Sequence, residues 1–233
     1  INCKKISNKW SPAFTIDAPL LPADEKPKIK PPIKVNKEKI EAEVQFRSVA
    51  IVFVIDRSGS MEGEKLELAK KATILSVTKL WAQDIIGVIA FDSDAYWVVP
   101  ISSENEMDWI ASRVLSIEPG GSTAIKPALE KALQSLNSIN AHIKHVILLS
   151  DGYDENGFYA RILVTPIVET MKKNNITLTT IGVGNDFDTY LMPTIAKIGG
   201  GEFYVASNYG QIPVMMLKDI DRILGFRKLA EKS

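Results

Sequence analysis

Val49-Ala-Ile-Val-Phe-Val-Ile55-Asp56-Arg57-Ser58-Gly59-Ser60-Met61 decides the fold. Seven apolar residues, rich in Val and Ile, end abruptly at a carboxylate, and two hydroxyls follow at alternate positions. An unbroken apolar run of this kind reads as a strand buried on both faces. Such a strand cannot carry a polar cluster in its middle without partners, so Asp56, Ser58 and Ser60 belong at its carboxyl end. Ligands of open α/β sheets bind at that end. Three side-chain oxygens converging there suit a hard cation such as Mg²⁺. Asp and Ser are also favoured helix caps, so the stretch alone leaves capping open as the plainer reading.

Outward from this strand, elements alternate. A helical pattern after Gly63 (Leu66, Ala69, Ala72, Leu75, Leu80) is expected to stop near Trp81. Ile85–Phe91 is a second buried strand. The turn Asp92-Ser93-Asp94 joins it to Ala95–Val99, an antiparallel partner closed by Pro100. Helical spacing returns over 104–117. The turn Glu118-Pro-Gly-Gly-Ser-Thr123 and a helix from Ala124 to about Leu136 follow. Ile143–Ser150 is another buried strand, and it too ends at a carboxylate, Asp151-Gly152. A helix over 158–174, interrupted near Pro166, leads to a strand at Ile176–Val183. A helix capped by Asp186 or Asp188, a short strand at Glu202–Ala206 and a last helix over 210–224 complete the run. No internal repeat is visible. The expected fold is α/β: a doubly wound, mostly parallel central sheet with one antiparallel edge strand and helices on both faces.

Residues 1–39 differ from the rest. They hold six of the 12 prolines, interleaved with lysines, which suits an extended linker that partly docks through Trp10, Phe14 and Leu20. Ile40 to Arg47 alternates apolar and polar residues, the period of a half-buried strand. The expected organisation is therefore a linker or partly docked extension over 1–39, one domain over 40–225 and a tail over 226–233.

Composition narrows the function classes. Of 233 residues, 45% are hydrophobic and 24% charged, and Lys+Arg and Asp+Glu both total 28. With no net charge, no global field draws nucleic acid or an anionic membrane. The one cysteine, Cys3, leaves no internal disulfide. No apolar run approaches bilayer-spanning length and no signal-peptide pattern opens the chain. The expectation is a monomeric, non-inserting part of a longer protein.

Three segments place oxygen donors on one rim of the sheet: Asp56-x-Ser58-x-Ser60, Gly120-Gly121-Ser122-Thr123 and Asp151-Gly152. Two strands each ending in Asp are hard to ascribe to capping alone. The set lacks Cys and His, which argues against zinc or a redox metal. At these residues the chain resembles the von Willebrand factor type A family over about 48–224, with all five positions of its metal-ion-dependent adhesion site. Asp56, Ser58 and Ser60 match the first loop. Thr123, in Gly-Gly-Ser-Thr-Ala-Ile, matches the second-loop threonine, with Ser122 beside it as the other hydroxyl. Asp151, in Leu-Leu-Ser-Asp-Gly, matches the third-loop aspartate. The wording is closest to bacterial, envelope-associated members.

The resemblance implies Mg²⁺, with Mn²⁺ or Ca²⁺ as alternatives. Ser58, Ser60 and Thr123 would coordinate it through hydroxyls, and Asp56 and Asp151 would act mainly through water or by fixing those hydroxyls. Neutral direct ligands leave the cation electron-poor, so it favours an Asp or Glu from a partner protein. Two other functions compete. A Mg²⁺-dependent phosphatase with Asp56 as nucleophile would want an acid two residues on, where Ser58 stands, and Arg57 is the lone basic residue for phosphate. A serine hydrolase would need a base, and His142 and His145 fall at a strand start, on the opposite rim. A structural domain with a vestigial metal site is the third reading. Asp92, Ser93, Asp94 and Asp154-Glu155-Asn156 border the rim as specificity candidates or as ordinary turn residues.

Overall fold

The computed structural model describes residues 48–104 and 106–230, and of 228–230 the backbone alone. The linker over 1–39, the alternation at 40–47 and the last three residues lie outside the described residues.

The apolar run forms β1 (Val49–Asp56), buried along its whole length. Its alternate residues feed two cores. Val49, Ile51, Phe53 and Ile55 face one side of the sheet, and Ala50, Val52 and Val54 face the other. This is why the run shows no apolar/polar alternation: neither face meets water, and each buried Val or Ile contributes about 1.5–3 kcal/mol.

The remaining elements are α1 (Glu64–Val77), β2 (Ile85–Phe91), β3 (Ala95–Ser102), α2 (Met107–Leu115), α3 (Ile125–Asn137), β4 (Ile143–Ser150), α4 (Ala160–Lys173), β5 (Ile176–Val183), α5 (Leu191–Gly199), β6 (Gly200–Ala206) and α6 (Ile212–Ala230). The sheet order is β3-β2-β1-β4-β5-β6. All pairings are parallel except β2 with β3. Helices α1, α2 and α6 pack on one face, and α3, α4 and α5 on the other. From β1 the chain winds outward to β2 and β3, then returns to β4 on β1's other side. The strand order reverses between β1 and β4, so the loops after these two strands part toward opposite faces and leave a crevice. The aspartates read from the sequence stand at this crevice: Asp56 ends β1 and Asp151 opens the loop after β4.

Three element ends differ from expectation. Helix α1 stops at Val77, and Asp84 organises the following loop by accepting from Trp81 N at 2.8 Å and Val49 N at 3.0 Å. Strand β3 runs through Pro100 to Ser102. It is an edge strand whose pairing with β2 is already irregular near Val88, so a residue without an amide hydrogen is tolerated there. Helix α6 continues past Leu224 to Ala230. Arg227 explains the extension: it is buried, bonds Asp84 Oδ2 at 2.6 Å and lies 4.0 Å from the Trp81 ring centroid. Pro166 does not interrupt α4.

Candidate metal centre

The rim is built outward from Asp56, the last residue of β1 and fully buried. Its Oδ1 accepts from Ser58 N at 2.8 Å and its Oδ2 from Ser150 Oγ at 2.5 Å. Burial pushes its carboxyl up to about 6; the bonds from Ser150 and Ser58 oppose this, and the Asp151 charge adds to it. Among the described residues, no cationic side chain bonds to it.

The Asp56–Ser58 turn directs the first loop back across the crevice. Ser58 Oγ and Ser60 Oγ are 3.0 Å apart, and Ser60 Oγ donates to Asp151 Oδ1 at 2.7 Å. Asp151 follows β4 directly and is buried, whereas Ser60 is exposed. Thr123 completes the group. A Cβ placed on Gly152 would lie 3.2 Å from Thr123 Oγ1 and 3.7 Å from Ser60 Oγ, so both hydroxyls approach one point over the Asp151–Gly152 turn. The structure thus brings Ser58, Ser60, Thr123 and Asp151 together on one rim, with Asp56 behind Ser58. Ser122 points elsewhere, toward Ser93 Oγ at 3.0 Å and the Glu155 carboxylate.

Backbone bonds lock the loops together. Gly59 N donates to Gly121 O at 3.2 Å, Gly120 N to Arg57 O at 2.8 Å and Glu155 N to Thr123 O at 2.7 Å. Gly121 has φ +69°, and a Cβ there would meet the Asp92 side chain at 2.7 Å, so this position needs glycine twice over.

Several polar residues of the rim prove to be internal struts. Arg57 is not a solvated phosphate ligand. Its Nε and Nη2 bond Asp92 Oδ2 at 2.8 and 2.5 Å, its Nη1 donates to Glu118 O at 2.7 Å, and it stacks 4.9 Å from the Tyr96 centroid. Asp92 is thereby taken. Asp154 is taken as well: its Oδ2 accepts from Ile125 N at 2.8 Å, capping α3, and its Oδ1 accepts from Asn156. Two features escaped the sequence reading. Lys65, one of several lysines in α1, reaches back to Asp151 Oδ2 and to Ser60 O, the latter at 3.1 Å. And the third loop carries bare aromatics, Phe158 at 89% exposed with Tyr153 and Tyr159 also turned outward, while Tyr190 is exposed in the segment before α5. Exposed Phe and Tyr so close to a rim are a surface signal that only the fold could reveal.

Among the described residues, no cluster of three or more His, Cys, Asp or Glu is placed to hold a metal. The donor set is instead two carboxylates and three hydroxyls, all oxygen. That chemistry suits a hard divalent cation, and Lys65 shows that positive charge is accepted there.

His145 lies near the start of β4, away from this rim, as its strand position implied. It is buried in a second polar group, with Nε2 2.7 Å from Asp219 Oδ2 and Nδ1 2.7 Å from Thr177 Oγ1.

The von Willebrand factor type A family model matches residues 50–220, and the chain belongs to that family. The family is a general protein-interaction and adhesion module. Among curated relatives, the uncharacterized protein YfbK of Escherichia coli is 31% identical over 157 residues, covering 66% of this chain and 27% of its own length. The chain thus spans about a quarter of that relative. A solved von Willebrand factor type A protein of Catenulispora acidiphila superposes with TM-score 0.67 at 23% identity, over 74% of this chain and 42% of that one. Proximal thread matrix protein 1 of the mussel byssus, solved with zinc in its metal-ion-dependent adhesion site, gives 0.65 at 21%, over 75% and 45%. An aerotolerance-related membrane protein of Bacteroides fragilis gives 0.59 at 22%, over 75% and 99%. No helix among the described residues is long and apolar enough to cross a membrane.

Proposed function

We propose that this domain is a divalent-metal-dependent protein-binding module without catalysis of its own. Asp56, Ser58, Ser60, Thr123 and Asp151 would hold Mg²⁺, leaving the cation to take an Asp or Glu of a partner protein. The carrying observation is the convergence of Ser60 and Thr123 hydroxyls on the Asp151–Gly152 turn, with Asp56 buried behind it and, among the described residues, bonded to no cationic side chain. The ion would supply an electrophilic centre for an anionic oxygen. The protein's own part is to aim the hydroxyls and hold the two carboxylates. Mn²⁺ or Ca²⁺ could substitute, since the donors are all oxygen; the mussel protein's zinc-occupied site is a precedent for a divalent ion and counts against excluding zinc for want of Cys and His. The exposed Tyr153, Phe158, Tyr159 and Tyr190 offer the partner a flanking apolar contact of the residue types that dominate interface energetics.

Hydrolysis is the weaker reading because Ser58 cannot protonate a leaving group and Arg57 is spent on Asp92. A setting at the bacterial cell envelope, within a larger membrane-associated protein, accords with the bacterial relatives. Affinity capture with and without chelator, using wild-type and Asp151→Ala bait, tests the reading. Partners lost in both chelator and variant support it, and identical partner sets overturn it. With p-nitrophenyl phosphate and Mg²⁺ no turnover is expected; turnover abolished by Asp56→Asn would establish an enzyme.

A further inference from the structure

Lys65 is the second residue of α1, and its side chain is 18% exposed. Its ammonium bonds Asp151 Oδ2 and the Ser60 carbonyl, and it stands 5.5 Å from the Tyr209 ring centroid. Ser60 Oγ takes the other oxygen of Asp151. Asp151 is therefore claimed on both sides, by a hydroxyl of the metal-binding set and by a permanent cation. Burial alone would lower the Lys65 pKa; the bond and charge of Asp151 more than offset this and hold it above the ordinary lysine value, so the ammonium stays charged at neutral pH.

The charge balance follows. Among the groups bonded within the site, Asp56 and Asp151 bring two negative charges and Lys65 one positive, a net single negative charge, with the Asp186 carboxylate acting on Lys65 from farther off. A divalent cation would turn that into a single positive one. With an uncharged side chain at position 65 the same ion would leave the site neutral. A net positive centre attracts a carboxylate more strongly than a neutral one.

We propose that Lys65 sets the charge of the metal site, weakening its hold on the divalent ion so that the loaded rim keeps a net attraction for a partner's acidic side chain. The inference rests on the metal-binding reading above. It assigns to Lys65 a role in specificity for an anionic partner. A merely structural lysine would have the opposite signature. If its work were to hold Asp151 in place, removing it would loosen the ion. If its charge decides, removing it tightens the ion.

Calorimetric titration of Mg²⁺ into wild-type, Lys65→Met and Lys65→Arg domain separates these. Lys65→Met is expected to bind Mg²⁺ about tenfold more tightly, the scale of one partly solvated charge a few ångströms from a divalent ion. Lys65→Arg, which keeps the charge, is expected to stay within about twofold of wild type. Acetate added to the Mg²⁺-loaded proteins, followed by the amide shift of Gly152, is expected to bind Lys65→Met more weakly than wild type. Unchanged or weaker Mg²⁺ binding by Lys65→Met, or undiminished acetate binding, overturns the proposal. Wild-type protein that takes up no Mg²⁺ at all would instead overturn the metal-binding reading beneath it.

Discussion

Two fully buried carboxylates, Asp56 and Asp219, sit in opposite electrostatic circumstances. Asp219, on α6, meets His145 Nε2 at 2.7 Å, Thr179 Oγ1 at 3.1 Å and Arg222 Nε and Nη2 at 2.9 and 2.7 Å. Burial would raise its pKa, but the bond and charge of His145 and the Arg222 guanidinium outweigh that and hold it below the ordinary carboxylate range. Asp56 has hydroxyl and amide donors but no cation bonded to it, and burial wins, lifting it to about 6. The charge at Asp219 is matched within the chain, so its work is to fasten α6 to β4 and β5. The charge at Asp56 has no such match among the described residues, and on the proposed metal-binding reading a cation from outside supplies it.

Conversion of each acid to its amide should break the symmetry most visibly. Asp219→Asn strips the partner from a buried His and Arg, and is expected to cost about 3 kcal/mol by chemical denaturation, with or without Mg²⁺. Asp56→Asn removes an ionisation the fold disfavours, and is expected to stabilise the metal-free protein by ~2 kcal/mol at pH 7.5 while abolishing any stabilisation by Mg²⁺. Equal destabilisation by the two changes would erase the distinction.

The pH dependence separates the same two groups. Ionising Asp56 costs stability, so its contribution is greatest below the ordinary carboxylate pKa and is lost as pH rises through about 6. The contribution of Asp219 has the other sign: it is present above the ordinary value and lost as pH falls through its depressed one. A cation at the rim must displace the proton of Asp56 in acid. Mg²⁺ affinity is therefore expected to fall up to about tenfold per pH unit below 6 and to be flat above pH 7. A flat profile down to pH 5 would detach Asp56 from the metal.

Smaller effects sharpen the rim itself. Thr123→Val is expected to weaken Mg²⁺ about tenfold, the scale of a lost ligand or ligand-orienting group. Ser122→Ala, on a hydroxyl turned toward Ser93 and Glu155, is expected to change Mg²⁺ affinity little and stability by less than about 0.5 kcal/mol. Comparable losses in both variants would put the wrong hydroxyl at the centre.

Much of this rim was legible in the sequence because its logic is local. Buried strands announce themselves as apolar runs; β1 ends on Asp56, and Asp151 follows the last residue of β4 directly. Helices on both faces, and the placing of Asp56 and Asp151 on one rim, follow from the alternation of strands and helices; the strand order itself came only with the fold. What stayed hidden is what depends on distant partners. Arg57 reads as a free arginine until Asp92 is folded beside it, 35 residues on. Lys65 reads as helix surface until β4 delivers Asp151. The length of α6 depends on Arg227 finding Trp81 and Asp84, which no periodicity in 210–230 foretells.

Titration of Mg²⁺ into wild-type and Asp151→Ala protein at pH 7.5, read by calorimetry, addresses the central claim most directly. One ion bound per wild-type chain and none by a still-folded variant is the result expected. No heat with wild type at millimolar Mg²⁺, or an isotherm unchanged by the substitution, would contradict it.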